Sequence, residues 1–584
     1  MKKAVRPLCP QPLTKSPTGI RGLDEITGGG LPTGRVTLVC GGAGCGKTLL
    51  ATEFLVNGAT QYHEPGVLMA FEESAEELTQ NVASLGFDLR QLEADKLLSV
   101  DNVFVDRTEF EESGAYDLEG LFIRLGYAID SIAAKRVVLD TIEVLFSGLP
   151  KPAIVRAELQ RLFRWLKDKG VTTILTGEKG EGTLTRYGLE EYVSDCVISL
   201  DHRVVDQAST RRMRVIKYRG SAHGSNEYPF LIDNDGLSVW PLTSLTLDHP
   251  ASRERVSTGV ERLDTMLGGE GYYRGSTILV SGTAGTGKTS LAATIANETC
   301  RRRERCLFFS FEESPDQVLR NMHSIGLDLQ QWIAQRRLRF CAARPTSKGL
   351  ETHLARMMKE TTEFAPAVVI VDPISSLMQS GNATSVQGTM LRLIDFLKAK
   401  GITAVLNSLS LPGTGLPPAD ASIASLVDTW LVVRDRELNG ERNRVLDVVK
   451  SRGMAHSNQV REFLLTNAGI TLNDVYLGAD GPLTGSARLT QKAREQAEQT
   501  ARKEEIKRQQ LVVESKRCLL DTQIAALRVG FATDETDLKR LLRDEEAHAG
   551  HEASNSVEMA KSRQADTVSP GQQRRLKKNQ QPAG

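Results

Sequence analysis

Gly41-Gly42-Ala43-Gly44-Cys45-Gly46-Lys47-Thr48 and Gly282-Thr283-Ala284-Gly285-Thr286-Gly287-Lys288-Thr289 are two copies of one pattern, G-x-x-x-x-G-K-[ST]. A glycine-rich loop of this form turns backbone N–H groups inward around a polyphosphate, and the following helix adds the positive end of its dipole. Each copy has the context the pattern needs. Apolar runs at 36–40 and 277–280 read as buried strands, and 49–55 and 291–295 read as helices. Lys47 and Lys288 are expected to reach the outer phosphates, and Thr48 and Thr289 to hold Mg²⁺. A full-length motif, in context and duplicated, speaks against a glycine turn that binds nothing.

Working outward, the resemblance between the two halves continues. Thr18-Gly19-Ile20-Arg21-Gly22-Leu23-Asp24 returns as Thr258-Gly259-Val260-Glu261-Arg262-Leu263-Asp264. Phe71-Glu72-Glu73-Ser74 returns as Phe311-Glu312-Glu313-Ser314, and Val137-Val138-Leu139-Asp140 as Val369-Ile370-Val371-Asp372. Lys217-Tyr218-Arg219-Gly220 returns as Lys450-Ser451-Arg452-Gly453. Order and spacing are kept, so a whole domain is duplicated, which is unlike the short period of a solenoid. Strand and helix patterns alternate, predicting an α/β fold: tandem RecA-like P-loop domains with mostly parallel central sheets. Each copy closes on antiparallel-looking segments near 214–217 and 445–449. The expected division is a disordered 1–13, a first ATPase domain at 14–247, a second at 248–483 with a linker near 245–255, and a helical tail at 484–550.

In that tail Ile506, Val513, Leu520 and Leu527 lie seven apart, and Ile524, Phe531 and Leu538 form a second such series. This predicts an amphipathic helix of coiled-coil character, weakly broken at Gly530, that associates with a protein partner or with its own copies. Residues 551–584 read as a disordered, solvated tail, including the basic cluster Arg574-Arg575-Leu576-Lys577-Lys578.

A chain of 584 residues is too long for one core. Lys plus Arg (73) equals Asp plus Glu (73), so no global charge draws nucleic acid or acidic partners. No run is long enough to span a membrane, and prolines at 7, 10 and 12 interrupt any signal peptide. The cysteines show no metal spacing. Cys40, Cys45 and Cys306 read as small buried hydrophobes in a reducing cytoplasm.

Asp140 and Asp372 each end an apolar strand, where a carboxylate beside a phosphate loop holds Mg²⁺ directly or through water. Glu72 and Glu73, with Glu312 and Glu313, follow another strand. The first acid of each pair suits the orientation or deprotonation of the attacking water, and Ser74 and Ser314 also look like helix starts. Lys217, Arg219 and His223, and in parallel Lys450, Arg452 and His456, share K-x-R-G-x-x-H. A basic pair on a late strand is either a solvated face or a cation supplied to a neighbouring subunit's γ-phosphate.

With these residues the chain resembles the KaiC family of clock ATPases and autokinases, over roughly residues 14–480. The specific parts are T-G-x-x-x-L-D, F-E-E after a strand, the stretch Arg186-Tyr187-Gly188-Leu189-Glu190-Glu191-Tyr192-Val193-Ser194-Asp195, and K-x-R-G-x-x-H. The resemblance implies stacked hexameric rings with ATP between subunits. It makes Glu72 and Glu312 catalytic acids, and Lys217, Arg219, Lys450 and Arg452 contacts to a neighbour's ATP. It also implies autophosphorylation of an adjacent Ser-Thr pair. Aligning on Val427-Asp428-Thr429 puts Ala424 and Ser425 there, so Ser425 is the one remaining hydroxyl, with Arg434 or Arg436 as cations for its phosphate. The function expected is a cytoplasmic Mg-ATP-dependent ATPase and Ser/Thr autokinase acting as a homohexamer in circadian-type regulation. The alternatives are a RecA-like DNA motor, disfavoured by the absence of a basic-aromatic strand-binding pattern, and a nucleotide-gated signalling scaffold.

Overall fold

The computed structural model describes residues 13–103, 119–146, 152–180, 182–186, 188, 194–205, 208–241, 251–381, 383–410, 423–438, 441–478 and 481–563. The chain divides into two compact units, one through Gly485 and one beyond it. The first unit holds both nine-stranded sheets.

The first sheet is built from β1 (Val36–Gly41), β2 (Gly66–Ala70), β3 (Leu98–Asn102), β4 (Arg136–Asp140), β5 (Thr172–Glu178), β6 (Cys196–Val205), β7 (Ala208–Tyr218), β8 (Glu227–Asp233) and β9 (Gly236–Val239). Their spatial order is β9-β8-β7-β6-β1-β5-β4-β2-β3. The pairings from β6 through β1 to β3 are parallel. From β6 to β9 they are antiparallel. The second sheet repeats this with β10 (Thr277–Gly282), β11 (Cys306–Ser310), β12 (Leu338–Ala342), β13 (Val368–Asp372), β14 (Thr403–Leu409), β15 (Thr429–Leu438), β16 (Glu441–Ser451), β17 (Arg461–Thr466) and β18 (Gly469–Asp474). Their order is β12-β11-β13-β14-β10-β15-β16-β17-β18. The central strands β1, β2, β4, β10, β11 and β13 are buried along their whole length, which is why they read as unbroken apolar runs.

Helices cover both faces. The helices used below are α1 (Lys47–Gln61) and α2 (Ala75–Ala83) in the first half, and α3 (Lys288–Arg301), α4 (Pro315–His323) and α5 (Leu350–Phe364) in the second. The repeated T-G-x-x-x-L-D closes a turn on itself. Asp24 accepts from the Thr18 N–H and hydroxyl, each at 2.8 Å, and Asp264 accepts from those of Thr258 at 2.8 and 2.7 Å. An unpaired carboxylate there would be costly, so the aspartate closes the turn that leads into each domain.

The halves are joined by charge as well as apolar contact. Across the boundary Lys359 on α5 reaches Asp233 (2.7 Å) and Asp235 (2.9 Å), and Arg212 on β7 reaches Glu351 at 2.5 Å; Lys359 also meets Glu363 one turn along its own helix (3.7 Å). The second unit holds one helix, α6 (Gly485–Ser562), 78 residues long with no buried residue. Two expectations are corrected here. Gly530 does not interrupt the helix, because one glycine costs only about 1 kcal/mol against many strong helix formers. The helix also continues past 550, since residues 551–562 contain no proline and only helix-compatible side chains. The expectations for 1–12, for linker residues 242–250 and for 564–584 lie outside the described residues.

Candidate functional site

Parallel register assembles each site. Ala70 pairs with Asp140 and Ser310 with Asp372, so the acid pair leaving one strand lands beside the aspartate ending its neighbour. The Phe71 and Phe311 N–H groups donate to the Asp140 and Asp372 carbonyls at 2.8 and 2.9 Å, which pins that junction. The phosphate loop leaves β1 or β10 at the same sheet edge. In the loops Gly46 and Gly287 sit at φ +103° and +100°, and each caps its helix. A Cβ on Gly46 would come within 2.8 Å of Ile232, and one on Gly287 within 2.8 Å of Phe463, so only glycine fits. Lys47 donates to the Gly41 and Gly42 carbonyls (3.0 and 3.1 Å), and Lys288 to those of Gly282 and Thr283 (2.9 and 2.7 Å). Both ammonium groups therefore lie over the mouth of their loop. Cys45 and Thr286 are equivalent and fully buried. Thr286 donates to the Thr283 carbonyl at 2.9 Å, while burial pushes the Cys45 thiol up, away from the reactive thiolate.

The second site encloses a cavity of about 310 Å³ whose lining includes Gly287, Lys288, Thr289, Glu312, Glu313 and Asp372. Ser376 donates to Glu312 Oε1 at 2.5 Å, fixing that carboxylate. Asp372 is pushed up by burial and held back by Thr289 and Asn407, which face it, and by Lys288. Glu313 is pushed up by burial and by its acidic neighbours Asp372 and Glu312. Carboxylates crowded in this way call for a cation. No group of three or more metal-ligating side chains occurs among the described residues. The buried Asn407 amide faces Asp372 and makes no hydrogen bond of normal geometry with the described residues.

In the first site Thr176 donates to Asp140, and Asn81 donates to Glu73 at 3.2 Å, with Glu72 exposed beside them. Thr176 and Asn407 occupy the same register position, opposite Val39 and Val280. Sequence reading missed both. The available signal is a polar residue inside an apolar run, Ile174-Leu175-Thr176 and Val405-Leu406-Asn407. It also missed Glu143, a buried carboxylate that accepts from the Glu178 N–H at 2.6 Å.

The basic residues are not gathered at this edge. Lys217 pairs with Val197 and Tyr218 with Cys196, itself opposite Thr37 near the start of β1. Lys450 pairs with Trp430 and Ser451 with Thr429, opposite Ile278 near the start of β10. A six-residue strand separates them from their own phosphate loop, about 20 Å at 3.3 Å per residue. There Lys450 donates to the Ala424 and Val427 carbonyls (2.7 and 2.8 Å), and Arg452 to the Ser425 carbonyl at 2.8 Å. Arg219 lies 3.9 Å from Asp195, His223 stacks on Tyr218, and His456 is exposed. Ser425 is exposed at this far end. Arg434 does not accompany it. Val433 pairs with Gly282, the last residue of β10, so Arg434 and Arg436 lie on β15 past the point where the phosphate loop leaves the sheet, and Arg434 meets Asp447 at 3.4 Å. The strand direction that brings Ser425 to one end takes Arg434 to the other. Of the Arg186–Asp195 stretch, residues 187 and 189–193 lie outside the described residues.

Comparison with known families matches the description "ATPase: KaiC" twice, at residues 16–244 and 256–475. The chain belongs to the KaiC family. It is a P-loop ATPase of the KaiC type, with a nucleotide-binding site in each half. It is 53% identical over 535 residues to "Circadian clock protein KaiC2" of Synechocystis sp. (strain ATCC 27184 / PCC 6803 / Kazusa), covering 91% of this chain and 94% of that one. A match so long takes in part of the segment after Gly485. It is 38% identical to "Circadian clock oscillator protein KaiC" of Parathermosynechococcus lividus (81% of this chain, 88% of that one). To the protein of the same name in Synechococcus elongatus (strain ATCC 33912 / PCC 7942 / FACHB-805) it is 36% identical (82% and 92%). No described helix is long and apolar enough to cross a membrane.

Proposed function

We propose that the chain is a cytoplasmic Mg-ATP-dependent KaiC-type ATPase that completes its sites by self-assembly into a homohexamer, and that it phosphorylates itself on Ser425. In this reading Lys47 and Lys288 contact the outer phosphates. Thr48 with Asp140 and Thr289 with Asp372 hold Mg²⁺, which when bound neutralises charge building on the phosphates. Glu72 and Glu312 orient the attacking group, with Glu73 and Glu313 beside them. Lys217 and Arg219, and Lys450 and Arg452, serve the neighbouring chain's ATP. The names of the relatives support a role in circadian-type regulation.

The observation that carries this reading is the separation within one chain. Loop and acids lie at one sheet edge, and Ser425 with Lys450 and Arg452 at the other, about 20 Å of strand away. A near-attack distance is about 3–3.5 Å, so the phosphate donor for Ser425 is a second chain's nucleotide. Lys450 and Arg452 hold the backbone of the acceptor segment, so the proposed γ-phosphate contacts and the acceptor move as one piece.

The test mixes Lys288→Ala chains with Ser425→Ala chains, supplies labelled ATP and Mg²⁺, and maps phosphate by mass spectrometry. Transfer between chains predicts Ser425 phosphorylated on the Lys288→Ala chain only in the mixture. No phosphate on Ser425 in the unmutated protein would remove the kinase. A monomer by light scattering in saturating ATP would remove the hexamer.

A further inference from the structure

From residue 501 to 550 the helix α6 is exposed at every position, and a helix without tertiary contacts lacks what supplies most helical stability. Its apolar residues nonetheless follow a strict order. Leu520, Ile524, Leu527, Phe531, Leu538 and Leu541 are 40% to 73% exposed and fall on one seam of alternating four- and three-residue steps. The skipped position in that run is Asp534. Continued toward the N-terminus, the same steps give Arg517, Val513, Gln510 and Ile506. The seam therefore carries a cation on one side of its middle and an anion on the other. Leu511, Val512, Leu519 and Val529 lie off the seam.

We propose that α6 pairs with α6 of a second copy of this chain in antiparallel orientation, with the two-fold axis between residues 525 and 526. In an antiparallel coiled coil each seam position faces the position reflected through that axis. Ile524 then faces Leu527 of the second copy, Leu520 faces Phe531, and Val513 faces Leu538. Arg517 faces Asp534, twice over by symmetry. The flanking positions agree, Asp521 against Arg528 and Lys516 against Asp537, with Glu514 against Glu535 the one unfavourable match. A parallel pair in register places Arg517 on Arg517 and Asp534 on Asp534 in the seam, where like charges are desolvated and destabilising. The charge pattern thus selects both the occupant, a copy of the same helix, and its direction.

Antiparallel pairing sets the two Gly485 residues at opposite ends, about 120 Å apart at 1.5 Å per residue. Such a pair joins two separate assemblies, not neighbours within one ring. The pairing involves α6 alone and is independent of what the ATPase halves do.

The test uses the full chain with Cys518→Ser added. Single-cysteine versions Val513→Cys and Leu538→Cys are mixed, mildly oxidised, digested and read by mass spectrometry. The proposal expects the 513–538 mixed disulfide in excess over either homodisulfide. Predominant 513–513 and 538–538 disulfides, the parallel outcome, overturn it, as does no tail disulfide at all, which would leave the helix to another protein. Charge exchange tests it independently. Arg517→Asp is expected to lower the mass of the assembly at least twofold in light scattering. Arg517→Asp with Asp534→Arg is expected to restore it, with ATP turnover unchanged throughout. An Arg517→Asp assembly of unchanged mass, or a double variant that fails to recover, overturns the proposal.

Discussion

Glu53 sits on α1, the helix that begins at the first phosphate loop, and it is nearly fully buried. Its carboxylate accepts from the Leu237 N–H at 2.7 Å and shares a small cavity with Arg21, Asp233, Asp235 and Lys359. Burial is the main cause that raises its pKa to about 7, with Asp233 adding to it and the Leu237 N–H and Asn57 opposing. The folded chain therefore holds this proton more tightly than the unfolded one, whose carboxyl titrates near 4.5. The contribution is full below pH ~4.5, falls as the pH rises toward 7, and is level above that, a swing of about 3 kcal/mol. Glu53→Gln keeps an acceptor for Leu237 and removes the charge. It is expected to be more stable than the unmutated protein at pH 8 and to flatten stability between pH 5 and 7 in urea titrations. Parallel pH curves for the two proteins would locate the titration elsewhere. None of this is visible in the sequence, where Glu53 reads as one more polar residue of a helix.

At the scale of elements, strand-loop-helix order, the duplicated sheets and the antiparallel closing strands were all legible, because fully buried parallel strands announce themselves as apolar runs. The helix starts after the acid pairs were legible too. Ser74 and Ser314 are N-caps whose side chains accept from Glu77 N–H and Gln317 N–H, each in a capping box. Ser314→Ala is expected to cost about 1 kcal/mol. It should also raise the KM for ATP, because Ser314, the N-cap of α4, directly follows Glu313. Urea midpoints and ATP kinetics check this, and an unchanged midpoint would mean that the loop, not the cap, sets the helix start. What the sequence hides is which end of a strand a residue occupies. Arg434 was expected beside Ser425 from nearness in sequence. A ten-residue strand carries it to the opposite edge of the sheet. Asn407 and Thr176 were missed for a related reason. A polar residue inside an apolar run is the local mark they leave, and what they face depends on the strand next door.

For the whole molecule, the contact between halves rests visibly on α5. Lys359 is mostly buried and meets two carboxylates of the first half, Asp233 and Asp235, besides Glu363 of its own helix. Pairs of this sort contribute ~0–1 kcal/mol each and weaken with salt. Lys359→Ala is expected to destabilise the two-domain unit by about 1–2 kcal/mol at low ionic strength and by clearly less at 1 M salt, read by calorimetry. An equal loss at both salts would assign the effect to packing of the lysine stem. The 20 Å of strand between each phosphate loop and its basic pair bears on the protein's abundance. On the proposed reading a lone chain possesses every catalytic part and no complete centre, so turnover per molecule falls as the protein is diluted, whereas an enzyme with a self-contained centre keeps it constant. The amount of protein made by the cell then becomes an input to the reaction, alongside nucleotide.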